Sequence, residues 1–82
     1  MFYVYVLECG DGSLYTGYTK DIKSRIKKHS KGKGGRYTRS RLPVKIAAHW
    51  NFKTKSEAMK AEAAFKRLQR KEKLERIRKL SI

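Results

Sequence analysis

Three side chains could do chemistry, because each is charged or titratable and yet occupies a helix position that should face a core. Arg25 and His29 share the i, i+3, i+4, i+7 spacing of one helix face with Ile22 and Ile26. Glu62 lies on the apolar stripe of a later helical segment. Desolvating an unpaired charge is costly, so each of these groups must be paired, extend to solvent or have a function.

Glu62 has small neighbours on its stripe. Ala58 and Ala61 leave room beside the carboxylate for a water molecule or an ion. Two tyrosines, Tyr5 and Tyr15, belong to segments with strand composition, where alternation predicts an inward face. Taken together, these groups are more typical of a functional site than of independent structural roles.

A purely structural interpretation accounts for each residue separately. Arg25 and Glu62 could form an interhelical ion pair, and His29 could be favoured at its helix end by the macrodipole. Tyr5 and Tyr15 could simply be core residues, because tyrosine is common in strands. Both interpretations place these side chains inside the fold.

The elements that position these residues begin with a β-hairpin. Phe2 to Leu7 and Ser13 to Tyr18 are rich in strand-forming residues, and Gly10-Asp11-Gly12 between them predicts the turn. A third strand follows later in the chain. Strict alternation there places five apolar residues on one side: Val44, Ile46, Ala48, Trp50 and Phe52.

Helices account for most of the remaining chain. Asp21 or Thr19 can cap a helix that continues to about Ser30, and a basic, glycine-containing loop runs from Ser30 to Pro43. Thr54-Lys55-Ser56-Glu57 has the form of a capping box that starts a second helix. A final helix spans about Lys71 to Leu80, and no Gly or Pro marks where the second helix ends.

The order β-β-α-loop-β-α-α predicts one α+β domain over residues 1–82. Its core would be a small three-stranded antiparallel sheet flanked by helices.

The net charge is +15, from 22 Lys and Arg against 7 Asp and Glu. A field of this strength concentrates polyanions, and release of counterions from a phosphate backbone adds sequence-independent affinity. The charge is uneven, since residues 1–19 contain no Lys or Arg, residues 20–41 contain ten and residues 42–82 contain twelve. We therefore expect a protein that binds nucleic acid.

A membrane partner is not expected. No segment approaches the roughly 20 apolar residues of a transmembrane helix, and the basic helices lack the bulky apolar face of an interfacial anchor. The single cysteine, Cys9, cannot form an internal disulfide, and no secretion signal precedes Phe2 to Leu7, which predicts the cytoplasm. We expect Cys9 to pack as a small apolar side chain and His49 to be solvated.

The candidate functional residues occur along the chain in a recognisable order. Tyr3-Val4-Tyr5, followed after nine residues by Tyr15-Thr16-Gly17, resembles the paired half-motifs of the GIY-YIG nuclease domain. Further matches follow in the family's order: Thr19, the Arg25-x3-His29 step and Glu62. The resemblance covers essentially the whole chain and is closest to the small stand-alone YhbQ-like group.

This resemblance implies hydrolysis of phosphodiester bonds in DNA with one divalent cation. Glu62 would bind Mg²⁺ or Mn²⁺, and Arg25 would hold the phosphate. Tyr5 is implied as the general base, with His29 assisting its deprotonation and Tyr15 orienting water or phosphate. An unperturbed tyrosine has a pKa of about 10, so Tyr5 needs a pKa-lowering neighbour, for which Arg25 is the candidate.

Phosphate contacts are expected from basic residues around this cluster: Lys20, Lys28, Lys33, Arg36, Arg39 and Lys66. Tyr37 is either a further active-site hydroxyl, a stacking surface for a base or an anchor of the loop to the core. Gly32-Lys33-Gly34-Gly35 does not match a P-loop, and we expect its glycines to let the loop follow a phosphate backbone.

Little sequence preference is expected, because family members that cut defined sequences usually carry additional DNA-reading segments. Branched or damaged DNA, or selection by a targeting protein, would then define the substrate. The asparagine that some family nucleases carry after the glutamate has no clear counterpart near Gln69-Arg70-Lys71. A non-catalytic basic nucleic-acid-binding module on the same fold is therefore the alternative, and an RNA-associated protein is a third interpretation supported only by charge.

Overall fold

The computed structural model describes residues 1–80 and begins with the predicted hairpin. Strand β1 (Phe2–Glu8) pairs antiparallel with strand β2 (Leu14–Thr19). In the turn, Gly12 has φ = 85°, a conformation that favours glycine. Asp11 stabilises the same turn by accepting hydrogen bonds from the backbone N–H and the hydroxyl of Ser13. Both strands lie within one residue of their predicted bounds.

Strand β1 is the centre of the sheet. Strand β3 (Lys45–Phe52) pairs antiparallel with its free edge, which gives the order β2-β1-β3. Both faces of β1 are covered: Val4 and Val6 are 1% and 0% exposed, and Tyr5 and Leu7, which point the other way, are 2% and 0% exposed. We call these the valine face (Val4 and Val6) and the tyrosine face (Tyr5 and Leu7).

A β-bulge interrupts the pairing of β1 with β3. Val6 pairs with Ala48, whereas Leu7 pairs with Ile46. Cross-strand partners share a face, so Ala48 lies on the valine face and Ile46 on the tyrosine face. The predicted strict alternation of β3 is therefore wrong at Ile46, which is 38% exposed.

Helix α1 (Ile22–Ser30) covers the tyrosine face. Asp21 caps it, because its Oδ1 accepts a hydrogen bond from the N–H of Ser24 at 3.1 Å. Of the two predicted capping residues, Asp21 is therefore the cap, and Thr19 holds it in place by accepting a hydrogen bond from the N–H of Asp21. His29, near the end of the helix, is completely buried, as its position on the predicted inner stripe requires.

Helix α3 (Lys55–Arg67) covers the valine face. Its Phe65 ring lies 5.4 Å from the ring of Trp50, and Trp50 pairs with Val4 in the sheet. Thr54 caps this helix as predicted, because its Oγ1 accepts a hydrogen bond from the N–H of Glu57. The Glu57 carboxylate accepts from the Thr54 hydroxyl at 3.0 Å rather than from the Thr54 N–H, so the predicted capping box is only half formed.

Helix α4 (Arg70–Leu80) is separate from α3 although no Gly or Pro divides them. Leu68 adopts an extended conformation with ψ = 148°, which ends α3. The carboxylate of Glu72 then accepts a hydrogen bond from the N–H of Gln69 and caps the new helix. None of the helices within residues 1–80 is long and apolar enough to cross a membrane.

A short helix, α2 (Arg36–Arg39), lies inside the stretch predicted to be a loop. That prediction is wrong here because long-range contacts order the stretch. Thr38 is completely buried, and Arg41 pairs with Asp11 of the hairpin turn at 3.0 Å. The N–H of Gly10 also donates to the carbonyl of Arg41 at 2.7 Å. We call residues 31–43 the covering segment.

Candidate active site

Tyr5 lies at the centre of the candidate site. Its side chain crosses over Gly17, its partner on β2. A Cβ on Gly17 would lie 2.6 Å from the Tyr5 hydroxyl oxygen, so a larger residue would displace the ring. The glycine of the second half-motif is thus required by the packing of the tyrosine.

His29 links Tyr5 to the covering segment. Its Nε2 lies 3.2 Å from the Tyr5 hydroxyl oxygen, and its Nδ1 lies 2.7 Å from Oγ1 of Thr38. Gly34 packs directly against the imidazole, where a Cβ would overlap the ring. This packing gives Gly34 a different role from the predicted one of following a phosphate backbone.

Tyr15 and Tyr37 extend the cluster. The Tyr15 ring lies 5.2 Å from His29 and 6.4 Å from Tyr5. Tyr37 stacks on Tyr15 at 5.8 Å, and the Arg41 guanidinium lies 4.0 Å above the Tyr37 ring. These contacts favour the interpretation of Tyr37 as an anchor of the covering segment.

Burial dominates the acidity of Tyr5. It raises the pKa of Tyr5 to about 12, and the charges of Tyr15 and Glu62 also raise it, while the charge of Arg25 lowers it. Arg25 lowers the pKa of Tyr5, as predicted, but by less than burial raises it. The expectation that a neighbouring cation gives Tyr5 a low pKa is therefore wrong. Arg25 of α1 and Glu62 of α3 are both close enough to act on the same hydroxyl.

His29 is neutral at neutral pH. Burial lowers its pKa below the ordinary value, and the charge of Arg25 lowers it further. Burial and Arg25 therefore both oppose the charged form of His29 that a helix C-terminus would favour. A neutral imidazole offers one N–H donor and one lone pair.

Glu62 does not form the ion pair with Arg25 that the structural interpretation predicts. Within residues 1–80 its ion pair is with Lys66, one turn later on α3, at 3.7 Å. The Glu62 side chain is 18% exposed, so it remains accessible. Arg25 is therefore available to a ligand.

An open groove of about 640 Å³ lies beside this cluster, between α1, the end of β2 and the start of α3. Four of its lining side chains are cationic: Lys20, Arg25, Lys28 and Lys55. The others are Phe2, Tyr18, Thr19, Asp21 and Ser24. We call this the basic groove, and Arg25 connects it to Tyr5 and His29.

Comparison with known proteins identifies this arrangement. The family model described as the GIY-YIG catalytic domain matches residues 1–75. The chain belongs to the GIY-YIG family. This is a family of nuclease domains, and the predicted resemblance is confirmed.

The GIY-YIG domain has close relatives among UPF0213 proteins. One from Streptococcus agalactiae is 58% identical over 72 residues, which covers 88% of this chain and 82% of the relative. The solution structure of a UPF0213 protein from Bacillus halodurans aligns with a TM-score of 0.62 at 52% identity, covering 94% of this chain and 83% of that one. A protein from E. faecalis aligns with a TM-score of 0.65 at 46% identity, covering 96% and 84%. These likenesses confirm the α+β fold class.

The predicted nucleic-acid-binding residues lie in three places on the GIY-YIG domain. Lys20 and Lys28 line the basic groove with Arg25. Lys66 lies beside Glu62 on α3. The remaining three are exposed on the covering segment and do not line that groove: Lys33, Arg36 and Arg39.

A metal ligand set is not preassembled in the described part of the GIY-YIG domain. Within residues 1–80 no group of three or more His, Cys, Asp and Glu side chains could hold a metal ion. Glu62 stands alone, and one carboxylate completed by waters and substrate phosphate oxygens is a donor set that Mg²⁺ accepts. The residues therefore fit a cation that binds together with its substrate.

Sequence reasoning missed Thr38, Gly34 and Lys55. The first two lie in a segment without periodicity, so no pattern indicated that they enclose His29. Lys55 follows a helix cap, and only the fold brings it to the groove lined by α1.

Two minor predictions are confirmed. Cys9 is 4% exposed and packs in the core. His49 is exposed, with its ring 6.4 Å from that of Tyr3 in an edge arrangement.

Proposed function

We propose that this chain is a metal-dependent endonuclease or nickase that hydrolyses phosphodiester bonds in DNA with little intrinsic sequence preference. One observation carries the proposal. At the Tyr5 hydroxyl, the hydrogen bond of His29 meets the charges of Arg25 and Glu62, beside a basic groove that shares Arg25. Hydrolysis of a phosphodiester needs a proton acceptor for water and positive charge at the phosphate.

Arg25 is suited to hold the scissile phosphate. Its guanidinium is always charged and donates in a planar fork that matches two phosphate oxygens. Because Arg25 also lines the basic groove, a backbone held there by Lys20, Lys28 and Lys55 would pass directly over it. The same backbone contacts would be insensitive to base sequence.

Tyr5 can act as a base only if its own proton leaves, since its pKa of about 12 keeps the hydroxyl protonated at neutral pH. Water transfers a proton to the Tyr5 oxygen while the phenolic proton moves to Nε2 of His29. The water oxygen forms its bond to phosphorus, and the bond to the leaving oxygen breaks. The leaving oxygen takes a proton from solvent, and the imidazolium of His29 then gives its proton back through Tyr5 to solvent, which regenerates the neutral site.

Glu62 would hold Mg²⁺ or Mn²⁺ together with water and the phosphate. Such a cation supplies Lewis-acid stabilisation of the charge on the phosphate and the leaving oxygen. Lys66 must turn away from Glu62 for this contact to form, because the two side chains are paired at 3.7 Å. The released ammonium of Lys66 can then contact a phosphate.

A nicking assay on supercoiled plasmid tests the proposal. We expect nicking with Mg²⁺ or Mn²⁺ that is lost on chelation and falls by at least roughly 100-fold in Glu62→Ala and Glu62→Gln. Glu75→Gln, an exposed glutamate of α4, is the matched control and should keep full activity. Activity that survives both chelation and Glu62→Ala would overturn the mechanism.

The substrate is defined by the same assay run on duplex, flap, junction, abasic and single-stranded DNA. Lysines in the groove contact the backbone rather than base edges, so the rate should depend on the shape of the backbone and not on its sequence. We therefore expect branched or damaged DNA, whose backbone departs from the regular duplex, to be cut at a different and faster rate than intact duplex. Equal rates on all substrates would assign selection to a targeting protein.

A non-catalytic basic nucleic-acid-binding module on the same fold is the second candidate, and the Glu62–Lys66 ion pair favours it because Lys66 competes with a cation for the carboxylate. It predicts salt-sensitive binding that survives Glu62→Ala and no cleavage of any of these substrates.

A further inference from the structure

Three buried groups from three separate elements form a chain of hydrogen bonds. Tyr5 comes from β1, His29 from α1 and Thr38 from α2. Nε2 of His29 faces the Tyr5 hydroxyl at 3.2 Å, and Nδ1 faces Oγ1 of Thr38 at 2.7 Å. His29 and Thr38 are both 0% exposed, so water does not compete for the contact between them.

The donor strengths of the Tyr5 and Thr38 hydroxyls decide which atom donates in each of these two hydrogen bonds. A neutral imidazole must donate from one nitrogen and accept at the other. The phenol of Tyr5 is far more acidic than the alcohol of Thr38, and is therefore the stronger donor and the weaker acceptor. The favourable arrangement has Tyr5 donating to Nε2 and Nδ1–H donating to Thr38.

We propose that Thr38 is a positioning residue that fixes His29 in the tautomer protonated at Nδ1, so that Nε2 accepts the proton of Tyr5. The hydrogen bond at one ring nitrogen sets which nitrogen carries the proton. The catalytic consequence rests on the proposed nuclease function, whereas the tautomer itself does not.

The balance of the proton transfer explains why the tautomer matters. The O–H bond of Tyr5 breaks, an N–H bond forms at Nε2, and the resulting imidazolium keeps its Nδ1–H bonded to Thr38. With the opposite tautomer, Nε2 already carries a proton and cannot accept another. The oxygen of Thr38 therefore keeps the acceptor side of His29 turned toward the tyrosine.

The other groups around His29 are consistent with a transient imidazolium. Arg25, on the same helix, disfavours positive charge on the ring and favours negative charge on Tyr5. Tyr15 contacts the imidazole through its ring, and Gly34 contacts it without a side chain. Neither Tyr15 nor Gly34 supplies a carboxylate that would hold the ring protonated.

The experiment is imidazole ¹⁵N NMR of the full-length protein, with His49→Gln used to assign the signals of the two histidines. Protonated and unprotonated ring nitrogens have well-separated ¹⁵N shifts. We expect Nδ1 of His29 to be protonated and Nε2 unprotonated at neutral pH in the wild type. A protonated Nε2 in the wild type would overturn the proposal whether or not any variant folds.

Variants then separate positioning from packing. Thr38→Val keeps the shape and removes the acceptor, so we expect the tautomer population to move toward Nε2–H and kcat to fall roughly 10- to 100-fold with DNA affinity unchanged. Thr38→Ser should restore both the tautomer and most of the activity. Thr16→Val, a buried threonine whose strand partner is Val6, should leave the tautomer unchanged.

The two proposals fail in different ways. A wild-type protein with the expected tautomer but no cleavage of any DNA would overturn the nuclease function and leave the assignment of Thr38 intact. Active protein in which Thr38→Val alters neither the tautomer nor kcat would overturn the role of Thr38 alone.

Discussion

The two faces of strand β1 are equally buried but are built from different chemistry. On the valine face, Val4 packs in an apolar layer with Trp50 and Phe65. On the tyrosine face, Tyr5 and His29 belong to a hydrogen-bonded chain that ends in the covering segment. Among the described residues that are not exposed, no buried side-chain nitrogen or oxygen lacks a partner, so the polar layer is as complete as the apolar one.

This difference separates stability from function. Apolar burial stabilises a fold by about 25 cal/mol per Å², whereas a buried hydrogen bond adds about 1 kcal/mol net and costs more when one partner is missing. A layer selected for stability alone would resemble the valine face. We therefore attribute the polar chain of the tyrosine face to the chemistry proposed for Tyr5.

Substitutions at two neighbouring residues of β1, one on each face, should show the largest difference between the faces. We expect Tyr5→Phe to lower the nicking rate roughly 100- to 10,000-fold, because the ring is kept and the proton acceptor is lost. Val4→Ala should instead destabilise the fold by about 2 kcal/mol and leave the rate per folded molecule unchanged. Urea unfolding and plasmid nicking of both variants measure the two effects, and a Tyr5→Phe protein with wild-type activity would contradict the role of Tyr5.

Acidification should weaken the tyrosine face first. The pKa of His29 is lower in the folded chain than its ordinary value of about 6.5, so the unfolded chain binds the proton more readily. The stability that neutral His29 contributes is complete above about pH 6.5 and is lost as the pH falls through that value toward the folded pKa.

Thermal unfolding between about pH 7.5 and pH 5 checks this pH dependence. The wild type should lose stability over this range, and His29→Gln, which cannot titrate, should lose less. Parallel curves for the two proteins would assign the pH dependence to other groups. Asp11 does not interfere, because hydrogen bonds from Ser13 lower the pKa of that carboxyl, which moves its titration further from this range.

Substitution of a single surface lysine should have the smallest effect, and that effect should be on DNA binding. Lys55→Gln in the basic groove should weaken DNA binding modestly and lower the slope of log K against log salt by about 1. Lys71→Gln, on the helix α4, is the matched control and should change the slope less. Fluorescence anisotropy over a salt series measures both slopes, and equal slopes would mean that binding is spread over the whole surface.

Local patterns predicted much of the fold. The hairpin, the Asp21 cap and the Thr54 cap depend on neighbouring residues, and each was found close to its predicted place. The bulge beside Val6 depends instead on how two distant strands fit. The helix α2 is only four residues long and is ordered by contacts of Thr38 and Arg41, which no local pattern reveals.

The sequence singled out residues that the fold brings close to the Tyr5 hydroxyl, but it did not predict their electrostatics. Spacing and family resemblance identified Tyr5, Arg25, His29 and Glu62. The raised pKa of Tyr5 follows mainly from burial, which depends on the whole packed core rather than on any neighbour in sequence. The Glu62–Lys66 pair is visible as an i, i+4 spacing, but whether it excludes Arg25 depends on the relative placement of two helices.

The hairpin turn has a consequence for how this chain tolerates change in length. Tips of hairpins usually accept inserted residues or fused sequences well. Here Asp11 is bonded to Arg41 of the covering segment, and the carbonyl of Gly12 accepts a hydrogen bond from Arg70 of α4 at 2.8 Å. An insertion at this tip would disturb the covering segment and helix α4 at once, so a label or fusion belongs elsewhere on the chain.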